Sequence, residues 1–128
     1  MSRTVLICDD AMFMRMLIGR TLTAAGFTVV GEATTGAEAV QKYKELKPDL
    51  VTMDVVMPEL GGIDAVRQIS SFDHDACVIV CSAMGQAKQV TQALDAGATG
   101  FLVKPFNADQ LVAAVEEALG RRAARGAR

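Results

Sequence analysis

Five short runs rich in apolar and β-branched residues, at 4–8, 28–33, 50–53, 77–81 and 100–103, alternate with longer runs of helical periodicity. A strand covered on both faces has no polar side, and the first, third and fourth short runs are apolar nearly throughout. In the segments between them, apolar residues recur every three or four positions. Met14, Leu17, Ile18 and Leu22 share one helical face; so do Ala39, Val40, Tyr43 and Leu46, and Leu111, Val115, Ala118 and Leu119. Gly26 and Gly97 stand where a left-handed helix cap is wanted, Pro48 stops another run, and Thr35 and Asn107 are suited to N-caps. Strands each followed by a helix, joined by right-handed crossovers, make a parallel five-stranded sheet with helices on both faces. The fold class is therefore α/β, a doubly wound (βα)5 three-layer sandwich.

The length of 128 residues suits one domain, drawn here as residues 1–120, with an Arg-rich tail at 121–128 that frays beyond the last helix. A net charge of -2 supplies no basic field for nucleic acid. No apolar run reaches the length of a membrane span, and the start lacks the charged-then-apolar pattern of a signal peptide. Cys8, Cys77 and Cys81 are odd in number, lie in apolar runs, and form neither a CxxC pair nor a Cys/His cluster. They read as reduced core thiols of a cytoplasmic protein. The expectation is a cytoplasmic monomer that engages neither membrane nor nucleic acid.

Parallel strands all end along one edge of the sheet, where ligands bind near the switch in strand order. Five polar residues fall at those ends: Asp9 and Asp10 after the first strand, Asp54 after the third, Ser82 after the fourth and Lys104 after the fifth. Taken singly, each has a bland reading. Asp-Asp is a common helix cap, Ser82 a turn residue, Lys104 a solvated charge. Their meeting at one edge, from places far apart in sequence, is what points to function. Three carboxylates brought together repel unless a cation or proton intervenes. All-oxygen ligands suit Mg²⁺, which takes few carboxylates and a phosphate. A hydroxyl from Ser82 and an ammonium from Lys104 complete a set fit for phosphoryl transfer to an Asp nucleophile.

The segments VLICDD, PDLVTMDVVMPELGGIDAV, VIVCSAMG and GATGFLVKPF resemble the receiver domains of two-component response regulators over residues 3–119. Through VTMD, CSAMGQ and KELKPD the chain is most similar to the single-domain chemotaxis branch of that family. The resemblance implies a flavodoxin-like strand order of 2-1-3-4-5. It implies that Asp54 is the phosphoacceptor, Asp10 a direct Mg²⁺ ligand, Asp9 an acid holding the metal through water, and the Val56 carbonyl a further ligand. Ser82 matches the switch hydroxyl, Lys104 the lysine that pairs with phosphoryl oxygens, and Phe101 the switch aromatic that turns inward. Lys104-Pro105 matches a cis peptide. The implied partners are a histidine kinase as donor, the flagellar motor switch protein as target and a dedicated phosphatase; the protein itself is a regulator and not an enzyme.

Some positions depart from the family pattern. Phe101 lacks the hydroxyl of the tyrosine found in the best-known chemotaxis regulators. Val56 and Met84 are apolar two residues after Asp54 and Ser82, where polar side chains would orient an attacking water. Met14 reads as core, with Met12 and Met16 partly exposed, and His74 as a loop residue. Two other functions use similar chemistry. A phosphorelay intermediate would pass phosphate from Asp54 to a histidine phosphotransfer protein and needs no flagellar contact. A small Asp-nucleophile phosphatase would want a second acid where Val56 stands, and no Gly-rich phosphate loop is present.

Overall fold

The structure, a computed structural model, describes residues 3–126, the side chains of 123–126 excepted. Strands β1 (Arg3–Cys8), β2 (Phe27–Ala33), β3 (Leu50–Asp54), β4 (Val78–Ser82) and β5 (Gly100–Val103) alternate with helices α1 (Met12–Ala24), α2 (Gly36–Leu46), α3 (Gly62–Phe72), α4 (Ala87–Ala96) and α5 (Ala108–Gly126). All strand pairings are parallel, in the order β2-β1-β3-β4-β5. The doubly wound architecture predicted from the alternation is the one observed.

The chain's apolar pattern explains the layers. Successive strand residues face opposite sides, so β1 sends Val5 and Ile7 one way and Leu6 and Cys8 the other. Val5 and Ile7 join Ile18 and Leu22 of α1 and Leu111, Val115 and Ala118 of α5 in one core cluster. Leu6 and Cys8 join Ala39, Val40 and Tyr43 of α2, Ala65, Val66 and Ile69 of α3, and Ala93 and Ala96 of α4 in the other. Each large aliphatic side chain so buried contributes roughly 1.5–3 kcal/mol. Leu17 and Leu46, which share helical faces with core residues in the sequence, are exposed.

Helix ends follow local chemistry. The Thr35 hydroxyl accepts the Glu38 N–H at 3.0 Å, and the Glu38 carboxylate accepts the Thr34 N–H at 2.7 Å. Asn107 and Gln110 accept one another's backbone N–H at 2.8 and 2.9 Å, which closes a capping box on α5. Gly97 caps α4 at φ +114°, and a Cβ there would lie 2.0 Å from the Ser70 hydroxyl oxygen. Helix α5 carries on through Gly126, past the boundary that composition suggested after residue 120. Arg121 donates to the Thr99 carbonyl at 2.8 Å and Arg122 to the Asp49 carbonyl at 3.0 Å, so both belong to the packed helix. The remainder of the Arg-rich tail has its side chains, and at 127–128 its backbone, outside the described residues. Cys8, Cys77 and Cys81 are all buried, and burial pushes the Cys81 thiol up to about 12.

Candidate functional site

Because β1, β3, β4 and β5 run parallel, their C-terminal ends deliver Asp9, Asp54, Ser82 and Lys104 to one edge. The backbone fixes each position. Asp9 donates its N–H to the Ala33 carbonyl at 3.0 Å, extending the β1–β2 ladder, and Lys104 donates to the Ser82 carbonyl at 2.7 Å, extending β4–β5. Beneath Asp54 the start of α3 is pressed so close that a Cβ on Gly62 would stand 1.9 Å from the Asp54 carbonyl oxygen. Only glycine fits there.

One carboxylate oxygen from each of Asp9, Asp10 and Asp54 lies within 4.8 Å of the others. The Lys104 ammonium reaches between two of them, donating to Asp9 Oδ2 at 2.9 Å and Asp54 Oδ1 at 3.0 Å. The second oxygen of Asp9 accepts the Ala11 N–H at 2.9 Å. Asp9 thus closes a turn just ahead of α1, whose N-cap Ala11 has no side-chain cap, alongside its place in the cluster. Asp9 and Asp54 are buried, at 1% and 8% exposure, whereas Asp10 is exposed.

The charges do not balance. Three carboxylates share one ammonium, and like charges this close repel by about 4 kcal/mol at an effective dielectric of 20. Burial raises the Asp54 carboxyl above its ordinary range; the Lys104 hydrogen bond opposes the rise, and Asp9 and Asp10 add to it. Burial would lower the Lys104 ammonium, but hydrogen bonds to Asp9 and Asp54 outweigh it and carry the group upward. An all-oxygen donor set with surplus negative charge, open to solvent at Asp10, fits a hard divalent cation such as Mg²⁺.

Of the other residues marked by sequence, Ser82 is buried at the same edge, and its described side-chain bonds go to Met84 and Gln89. Its oxygen accepts the Met84 N–H at 3.1 Å, and its hydroxyl donates to Gln89 Oε1 at 3.3 Å. Val56 is 77% exposed at the rim, and Met84 is exposed as well. Phe101 is half-buried against the larger core cluster. It lines a pocket of about 310 Å³ with Val90 and Leu94 of α4 and Ala114, Glu117 and Arg121 of α5. The Lys104–Pro105 peptide is cis. Gln89 has no sequence signal, because its meeting with Ser82 depends on where α4 docks.

The profile of the response regulator receiver domain matches residues 5–116. The chain belongs to the receiver-domain family. This receiver domain is 56% identical over 117 residues to the chemotaxis protein CheY of Thermotoga maritima, covering 91% of this chain and 98% of that one. It is 53% identical over 119 residues to CheY of Bacillus subtilis, covering 93% and 99%. Among solved structures it is similar to a CheX-CheY-BeF3-Mg²⁺ complex from Borrelia burgdorferi. There the TM-score is 0.86 and the identity 37%, over 88% of this chain and 86% of that one. It is a CheY-like response regulator.

Proposed function

We propose that this receiver domain is a chemotaxis switch that takes a phosphoryl group on Asp54 from a histidine kinase. The observation that carries the reading is the buried Asp54 carboxylate, held at 3.0 Å by the Lys104 ammonium beside two further acids. In the transfer an Asp54 oxygen forms a bond to phosphorus as the bond from phosphorus to the kinase imidazole nitrogen breaks. The imidazole leaves with the electron pair. Lys104 is within reach of both the nucleophile and an incoming phosphoryl oxygen, and its charge offsets the negative charge that accumulates there. Asp10, Asp9, Asp54 and the Val56 carbonyl would hold Mg²⁺, which when bound neutralises charge on the phosphoryl oxygens.

Ser82 then turns its hydroxyl toward the phosphoryl group, and Phe101 moves into the space left under α4. Burial of an aromatic ring is worth roughly 2 kcal/mol, enough to bias two conformations a few kcal/mol apart. The face of α4, β5 and α5 changes shape, and the flagellar motor switch protein selects the changed form. With Val56 and Met84 apolar at the rim, neither orients a hydrolytic water, which leaves removal of the phosphoryl group to a dedicated phosphatase. Among the described residues no helix is long and apolar enough to cross a membrane, and the reading places the protein in the cytoplasm with its kinase. Similarity to chemotaxis proteins over nearly their full length favours this role above a phosphorelay intermediate. A phosphatase is disfavoured by Val56 at the position of the second acid.

Incubation with acetyl phosphate and Mg²⁺, followed by intact-mass analysis, tests the reading. The wild-type protein should gain one phosphoryl group and bind a motor-switch peptide more tightly, while Asp54→Asn should gain none. Phosphorylation that persists in Asp54→Asn would move the acceptor elsewhere.

A further inference from the structure

The Ser82 hydroxyl already has a partner, and that partner is on the helix expected to move. Its oxygen accepts the Met84 N–H at 3.1 Å, which leaves its proton free to donate, and the proton goes to Gln89 Oε1 at 3.3 Å. The other end of the same amide is also occupied, since Gln89 Nε2 donates to the Met84 sulfur at 3.7 Å. A thioether only accepts, so the NH₂ end of the amide belongs at the sulfur and the carbonyl end at Ser82. Gln89 sits in the first turn of α4, next to Val90, which lines the pocket beside Phe101.

A hydroxyl has one proton to give. Ser82 therefore cannot donate to Gln89 and to a phosphoryl oxygen on Asp54 at once. We propose that Gln89 is a positioning residue that holds the Ser82 proton away from Asp54 in the unphosphorylated protein, so that capture of the hydroxyl at Asp54 also frees the first turn of α4. This rests on the reading of Asp54 as the phosphoacceptor. The contact is long for an O–H···O bond, as a contact that must break on every cycle should be. Its loss takes a partner from the resting state alone. By the net worth of such a bond, that shifts the equilibrium toward the phosphorylated conformation by about threefold.

Beryllofluoride with Mg²⁺ is the probe, and its bound ¹⁹F NMR signal gives the affinity. Gln89→Met keeps the side chain's length and removes the carbonyl acceptor. It should bind beryllofluoride about threefold more tightly than wild type. In a Ser82→Ala background the same substitution should change nothing. The Gln89 side-chain amide resonances should move on beryllofluoride binding in the wild-type protein and stay put in Ser82→Ala, a signature that mere packing would not produce. Unchanged or weaker binding by Gln89→Met would overturn the proposal, as would a gain that survives in the Ser82→Ala background. Asp54→Asn separates the two levels. Wild-type binding by that variant would overturn the reading of Asp54 and the latch with it, whereas its loss beside an unchanged Gln89→Met would overturn the latch alone.

Discussion

Acidic residues stand at both edges of the sheet, and the two edges treat them in opposite ways. At the N-terminal edge the carboxylates of Asp49 and Asp73 are matched to donors. Asp49 accepts the Thr4 N–H at 2.8 Å and the Thr4 hydroxyl at 3.1 Å, and Arg122 lies 3.9 Å away. Asp73 accepts the Tyr43 hydroxyl at 2.7 Å and the Asp75 N–H at 3.0 Å. The Tyr43 bond holds the Asp73 carboxyl below its ordinary range against the opposing effect of burial. At the C-terminal edge Asp9, Asp10 and Asp54 crowd together, one ammonium bonds only Asp9 and Asp54, and the Asp54 carboxyl is raised. One edge spends its charges on stability. The other keeps a surplus of negative charge, which destabilises the resting fold and leaves affinity for cations and for a phosphoryl group's counter-charges.

The sharpest way to break this comparison is to remove the ammonium that bonds Asp9 and Asp54 at the crowded edge. Lys104→Met leaves the buried carboxylates of Asp9 and Asp54 facing each other, which should cost about 3 kcal/mol at neutral pH without metal. Arg122→Met at the opposite edge should cost less than about 1 kcal/mol, since that pair is partly exposed and Asp49 keeps its Thr4 donors. Urea melts in a chelator give both values. Equal losses would mean that the two edges do not differ in kind.

A middle-sized effect sharpens the same contrast from the satisfied side. Tyr43→Phe removes a hydroxyl that donates to a carboxylate and should cost about 1.5 kcal/mol at neutral pH. The sign of its pH dependence follows from the lowered Asp73 carboxyl. A group whose folded pKa is depressed contributes stability that is present above its unfolded value, near 4, and is lost as pH falls through the folded value. Burial, with help from Asp73, pushes the Tyr43 hydroxyl upward, so it stays protonated throughout that window. The gap between wild type and Tyr43→Phe should be constant above about pH 5 and narrow below pH 4. A gap that widens in acid would show that Asp73 is not the charged partner.

The crowded edge was the more legible of the two in the sequence. Strand periodicity placed the strand ends, and five polar residues at those ends stood out against apolar runs. The layers and the capping roles of Thr35 and Asn107 were legible for the same reason, because period and cap chemistry are local. The satisfied edge left no such mark. Asp49 meets Thr4 across the β1–β3 pairing and Arg122 across the docking of α5, Asp73 meets Tyr43 of α2, and an Asp in a loop looks the same whether or not it has a partner. Gln89 was invisible for that reason too. The end of α5 was misplaced because Arg, Ala and Gly suggest fraying, whereas Arg121 and Arg122 find backbone carbonyls of the sheet's N-terminal edge to bind.

The smallest predicted effect is the most discriminating, because its sign should reverse. Asp10 is exposed, and in the metal-free protein its charge raises the Asp54 carboxyl without any ammonium bond of its own among the described contacts. Asp10→Asn keeps the shape and removes one like charge, so without metal the variant should be more stable than wild type. The gain should be about 0.5 kcal/mol, small because solvent and salt screen an exposed group. Added Mg²⁺ should turn the order around. A ligand that binds only the folded state adds RT ln(1 + [L]/Kd), about 1.4 kcal/mol at tenfold excess over Kd. If Asp10 is a direct ligand, the wild type collects that stabilisation and the variant does not. Urea melts of both proteins across a Mg²⁺ series should therefore cross, and raising the monovalent salt should shrink the metal-free gap first. A variant less stable than wild type in chelator would remove the electrostatic strain assigned to this edge. Two curves that rise in parallel would leave the strain in place and take Asp10 out of the metal site.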